Sequence, residues 1–299
     1  MFLPFLLPSF IINCNLSDTL QSISGNSHDT FMQHLNAGRQ LVLSIIAKPQ
    51  RIENPKNDDL WNFLLEMYSY MVLVATLTPG GTPGTQAPSL DDFLLSAQGV
   101  RKHDIFGSFL SGIESVFKFI PEVSLLTSQR RTEEETGTCS AKTYAKYKDL
   151  QSRIRVLPAT DSSMSGSEMA TQRAAALIIW QSALLIFLHS SFCESLQDDI
   201  CLATEIDIHV EVTLPLLDSL TLTPLCAIMM WPAMIIGSCA HQERQWEMFR
   251  LAEARYKMDA VKQGTKLLNL LWMDPDPRAY GPRGLEFVMQ KRGWNICMI

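Results

Sequence analysis

The chain has 299 residues, 46% hydrophobic and 19% charged, with a formal net charge of −6. That is apolar enough to exclude a disordered chain and long enough for one large core or two ordinary domains. The acidic balance excludes general attraction to nucleic acid, because phosphate binding needs a basic patch.

Residues 1–28 form a poorly defined N-terminal segment. Met1–Ser17 has no positive n-region of a signal peptide, and Pro4 and Pro8 interrupt its apolar run. The first amphipathic pattern covers Thr30–Ile46, with Asp29 as its cap and Phe31, Leu35, Leu41, Ile45 and Ile46 near the helical period. The next covers Asp58–Leu77, with Asn57 as cap, and Pro79–Gly84 reads as a loop. Ser89 caps a short helix. Asp104–Thr127 predicts a helix broken or kinked at Pro121. Ser128–Ser140 reads as a polar loop carrying the solvated charge run Glu133-Glu134-Glu135.

Ala141–Val156 predicts an amphipathic helix with Tyr144, Tyr147, Leu150 and Ile154 inward. Asp161–Ser167 is a linker, and Ser165 with Glu168 has capping-box spacing. Met169–Phe192 is apolar almost all round, which places it at the centre of a bundle. Glu205–Leu220 and Pro224–Ala240 complete the core, and Pro232 must kink or restart the second of them. His241–Met258 is amphipathic, Asp259–Trp272 repeats that logic, and Asp274-Pro275-Asp276-Pro277 stops it. Pro282 opens a last short helix before the apolar tail Trp294–Ile299. No segment has a convincing strand period, so the expected fold is all-α, a single large bundle of antiparallel helices.

No constellation points to chemistry. Cys14, Cys139, Cys193, Cys201, Cys226, Cys239 and Cys297 include no Cys-x-x-Cys pair, and their use fits a reducing compartment. His28, His34, His103, His189, His209 and His241 show no metal-ligand spacing, and His189 reads as a hydrogen-bonded core or rim residue. Gly107-Ser108 and Ser111-Gly112 do not form a nucleophile elbow. Gly80–Gly84 lacks the lysine of a phosphate loop. Asp207 and Glu211 lie one helical turn apart, as many solvated pairs do. The expectation is therefore no enzyme, no cofactor, and no catalytic, metal-binding or DNA-binding residues. Lys142, Lys146, Lys148, Arg153 and Arg155 form the densest basic stretch, but share it with Asp149 and follow three glutamates. Two uncharged runs, Ala174–Cys193 and Ser219–Gln242, are long enough to cross a bilayer, which makes a multi-pass membrane protein the alternative reading.

Trp231-Pro232, the small-residue stop Gly237-Ser238-Cys239-Ala240, the charged helix after it and the helix ending at Trp272 together resemble the fungal-specific transcription factor domain. That domain is the helical regulatory region of zinc binuclear cluster regulators. Phe31–Gly38, Asp104–Ile120, Ala174–Ile178 and Gly284–Trp294 look like further elements of it, so the resemblance covers residues 29–299. The family's two Cys-x-x-Cys halves are not in this sequence, where Cys14 stands alone in the corresponding region. The resemblance implies a nuclear transcription regulator, plausibly of a metabolic or secondary-metabolite gene cluster. It acts through partners in the transcription machinery or a DNA-binding regulator, without specific DNA contacts or a membrane of its own. A small-molecule effector and a homodimer both fit that role. Core packing is the default reading of Trp231, Trp272 and Cys239, ahead of a ligand pocket.

Overall fold

The computed structural model describes residues 35–40, 42–43, 55–78, 110, 112–157, 167–193, 196–256, 258–294, 296 and 298. Ten α-helices are delimited among them: α1 (Pro55–Leu77), α2 (Glu114–Phe117), α3 (Ile120–Glu135), α4 (Ala141–Arg155), α5 (Glu168–Ser190), α6 (Ile200–Leu220), α7 (Met230–Ser238), α8 (Glu243–Tyr256), α9 (Asp259–Trp272) and α10 (Gly281–Arg292). A 3-10 helix, Pro224–Ile228, links α6 to α7. Residues 35–40 are also helical, and Ile296 is an isolated bridge residue; no strand occurs among the described residues. The fold is all-α, as the periodicity predicts. The N-terminal segment, the Pro79–Gly84 loop, the helix after Ser89, Gly107-Ser108 and residues 161–166 of the linker lie outside the described residues.

The bundle is organised around α5, which packs against α2, α3, α4, α6, α7 and α10. Its sequence explains this position. Ser167 accepts a hydrogen bond from the Ala170 N–H at 3.1 Å and Glu168 occupies the first turn, so the positive helix end is satisfied twice over. From Ala175 to Ser190 nearly every side chain is buried, whichever way it points. Each large apolar residue hidden in this way contributes about 1.5–3 kcal/mol. At the other end Arg283 of α10 donates to the carbonyls of Ser190 and Ser191, which have no partner within the helix. The cap is thus Ser167, and the expected capping box from Ser165 does not start this helix.

Three further boundaries differ from expectation. The span is broken at Pro121, as expected: α2 ends at Phe117 and Pro121 stands in the first turn of α3, where its missing N–H costs nothing. But α3 runs on through the expected loop to Glu135. Its glutamates are not merely solvated: Glu133 accepts from Ser140 Oγ at 2.8 Å and Thr143 Oγ1 at 2.5 Å, and Glu134 meets Arg283 at 2.5 Å. Those bonds, that from Thr143 foremost, hold the Glu133 carboxyl below its usual range. Next, α6 starts at Ile200 rather than Glu205, because Asp199 caps it by accepting from the N–H groups of Cys201 and Leu202. Finally, α1 begins at Pro55, upstream of the expected Asn57 cap.

The expected Pro224–Ala240 helix is two pieces. Pro232 falls in the first turn of α7, among the N–H groups that have no intrahelical partner, so the chain restarts there instead of kinking. The apolar run 219–242 is consequently a helix end, a 3-10 turn and a nine-residue helix, not one span. The other run falls on α5, the one described helix long and apolar enough to cross a membrane; 78% of its most apolar window is buried inside the protein. The apolar signal behind the membrane alternative is accounted for by core burial and by a broken helix.

Candidate functional site

α7 has two different faces. On one, Trp231 is fully buried, stacks on Trp180 of α5 at 5.2 Å between ring centroids, and meets Phe187 edge-on at 5.7 Å. Its indole N–H donates to the carbonyl of Leu77 at 3.3 Å, which ties α1 to the centre. Phe117 closes the cluster from α2, 4.7 Å from Trp180. At the C-terminal end of α7 the absence of a side chain at Gly237 admits a neighbour. A Cβ there would lie 2.8 Å from Leu268 Cδ1, and the Gly237 carbonyl accepts the Trp272 N–H at 2.9 Å. Trp272 in turn stacks on Trp246 at 5.4 Å. Burial pushes the Cys239 thiol up to about 12, which makes it an unreactive packing residue. Trp231 and Cys239 are buried in the core and Trp272 packs half-buried against it, in line with their default reading.

The other face of α7 borders a cavity of about 310 Å³, partly open to solvent, between α1, α6, α7, α8 and α9. Among the described residues seven methionines line it: Met67, Met71, Met229, Met230, Met234, Met248 and Met258. Small residues, Ala227, Ala233, Ala252, Ala260 and Gly264, leave the space unfilled. A Cβ on Gly264 would come 2.6 Å from Met230 Cε and 3.0 Å from Met234 Sδ. Thr265 lines the same cavity at 4% exposure; its carbonyl accepts from Asn269, while its hydroxyl has no hydrogen-bond partner among the described residues. No lysine, arginine or histidine is among the described lining residues, and Asp218 at the rim is paired with Arg255.

A second polar feature lies across α5. Tyr147 and His189 Nδ1 are 2.7 Å apart, and His189 Nε2 faces Glu205 Oε1 at 3.5 Å. Glu205 also pairs with Arg155 and stands 3.7 Å from His209, whose Nδ1 meets Ser182 Oγ at 3.0 Å. With its proton on Nε2, the neutral His189 ring accepts from the tyrosine, while Nε2 itself is buried and makes no hydrogen bond, lying 3.5 Å from the carboxylate. Burial holds His189 down to about 4 and His209 below its usual range, and it pushes the Tyr147 phenol up. Burial also acts to raise Glu205, but the hydrogen bond from Arg155 and the neighbouring charges outweigh it and hold the carboxyl low. None of these residues lines the methionine cavity. They cross-link α4, α5 and α6, so His189 is the hydrogen-bonded core residue its position suggests.

The remaining residues singled out in the sequence do not converge. Asp207 faces His241 at 3.5 Å, whereas Glu211 accepts from Arg244 at 2.7 Å and Gln245 at 2.6 Å, so the two carboxylates serve different contacts. In the basic stretch, Arg153 is held by Glu122 and Asp149, and Arg155 by Glu205. No group of three or more His, Cys, Asp or Glu side chains suited to a metal ion occurs among the described residues. Sequence reasoning missed the methionine cavity. The only available signal was the wealth of methionine, 14 residues, beside small residues in the last third of the chain.

An all-α domain wound round one buried helix, with a lined apolar cavity as its most distinctive opening, has the form of a helical regulatory or binding module. The sequence model of the fungal specific transcription factor domain matches residues 7–299, and the chain belongs to that family. Its family places it among transcription regulators. No curated protein and no solved structure matches the chain.

Proposed function

We propose that this chain is the regulatory domain of a nuclear transcription regulator that controls a metabolic or secondary-metabolite gene set through protein contacts and an effector. The family match across residues 7–299 carries this reading. We assign the regulatory domain to residues 29–299, with residues 1–28 as a separate segment. DNA recognition comes from outside these helices. The net charge of −6 gives no general attraction to phosphate, and the arginines of the densest basic stretch are already paired with carboxylates. The lined cavity supports the effector half of the proposal.

Tethering tests it. Fused to a heterologous DNA-binding domain, residues 29–299 should raise or lower a reporter placed behind the cognate sites. Deleting the gene in its fungal host should change the transcripts of a coherent group of biosynthetic genes. A reporter that moves in neither direction, with an unchanged transcript profile, contradicts the proposal.

A further inference from the structure

We propose that the methionine-lined cavity binds a neutral, largely apolar small molecule, anchored by one hydrogen bond to the Thr265 hydroxyl. The inference deepens the effector half of the proposed function and, for its biological consequence, rests on it. Size comes first. At about 310 Å³ the space is at the lower end of small-molecule sites and far larger than a packing defect. Its walls are made by residues that do not compete for it. Gly264 holds back where any side chain would run into Met230, and the methionines are flexible enough to close round ligands of different outline.

Polarity decides the class of ligand. The Thr265 hydroxyl has no protein partner among the described residues and is not sealed from solvent, so it is available for one hydrogen bond to a ligand in a chamber lined mostly by apolar side chains. Asp218, the single charged residue among the described lining residues, is already engaged by Arg255, and none of those residues is a cation that could receive an anion. A carboxylate or phosphate entering this space would lose its water without compensation. What fits is a hydrocarbon body carrying an alcohol, ether or carbonyl oxygen. Such a molecule would touch α1, α7, α8 and α9 at once, and so join the C-terminal helices to the central ones.

The test is calorimetric titration of the purified full chain at neutral pH with 1-decanol and, separately, with decanoate, which has the same chain length but carries a charge. The alcohol should bind saturably, and decanoate at least about tenfold more weakly. Thr265→Val should weaken the alcohol about fivefold, as expected for one neutral hydrogen bond, and Thr265→Ser should retain it. Gly264→Leu, which drives a branched side chain at the Met230 methyl, should abolish binding. Equal binding of the two probes, or alcohol binding indifferent to both Thr265→Val and Gly264→Leu, would mean surface partitioning and overturns the site. So would no saturable binding at all, the result expected if the protein's own chain fills the space. Saturable, Thr265-dependent binding in a chain that fails the tethering experiment leaves the site standing and removes only the regulator reading.

Discussion

The two faces of α7 are built from the same apolar alphabet and behave in opposite ways. Toward α5, Trp231, Trp180, Phe187 and Phe117 are large, rigid and interlocked, and the packing is closed. Toward α8 and α9, methionine, alanine and glycine leave about 310 Å³ unfilled. Nine residues of helix thus separate a core that sets the fold from a chamber that can receive something. The lesson is that hydrophobicity alone does not make a core; the ratio of rigid bulk to flexible chain and bare backbone decides whether space is filled.

The sharpest way to break this comparison is at the closed face. Trp231→Ala removes a stacked ring and the hydrogen bond to Leu77, and should destabilise the fold by about 3–5 kcal/mol in urea titration. A loss within about 0.5 kcal/mol, typical of exposed sites, would show that the aromatic cluster is not the keystone.

Acid tests the polar cross-link on the far side of α5. His189, His209 and Glu205 all titrate lower in the folded chain than in the unfolded one. The unfolded chain therefore binds more protons, and stability is lost as pH falls. For His189 the loss begins near its ordinary value of 6.5 and is complete once pH has dropped through about 4. The whole excursion is worth about 3 kcal/mol. Urea midpoints at pH 7 and pH 5 should differ clearly in the wild type and by less in His189→Gln. Identical pH dependence in the two proteins would remove His189 from the account.

Much of this architecture was legible in the sequence. The limits of α9 match the amphipathic pattern Asp259–Trp272, and the unbroken apolarity of α5 announced its central position. Pro121 and Pro232 do mark a break and a restart, as their missing N–H predicts; what the pattern does not show is that each stands in the first turn of the helix that follows. Arg130 and Glu134 pair across one turn of α3, in a stretch that looked too polar for helix. The cavity was illegible for a different reason. Periodicity tells which side chains face inward, but not whether residues from five separate helices meet there or stop short. The Tyr147–His189–Glu205 cross-link spans three helices and was hidden in the same way.

The smallest effect sharpens the comparison from the open side. Thr265→Val should leave stability within about 0.5 kcal/mol of wild type, because the hydroxyl it removes has no partner to lose. Thr213→Val, whose hydroxyl donates to the His209 carbonyl at 2.7 Å, should cost about 1 kcal/mol. A larger loss at Thr265 than at Thr213 in parallel urea titrations would mean that the cavity wall is already satisfied by protein.

The central claim, one helix with a closed and an open face, is tested most directly by methyl spectra of methionine-labelled protein with and without 1-decanol. Met230, Met234 and Met248 line the cavity, whereas Met289 and Met298 are fully buried away from it. The account predicts that the first three resonances move on addition of the alcohol while the last two hold still. Shifts spread evenly over all five, or absent from the first three, would contradict it.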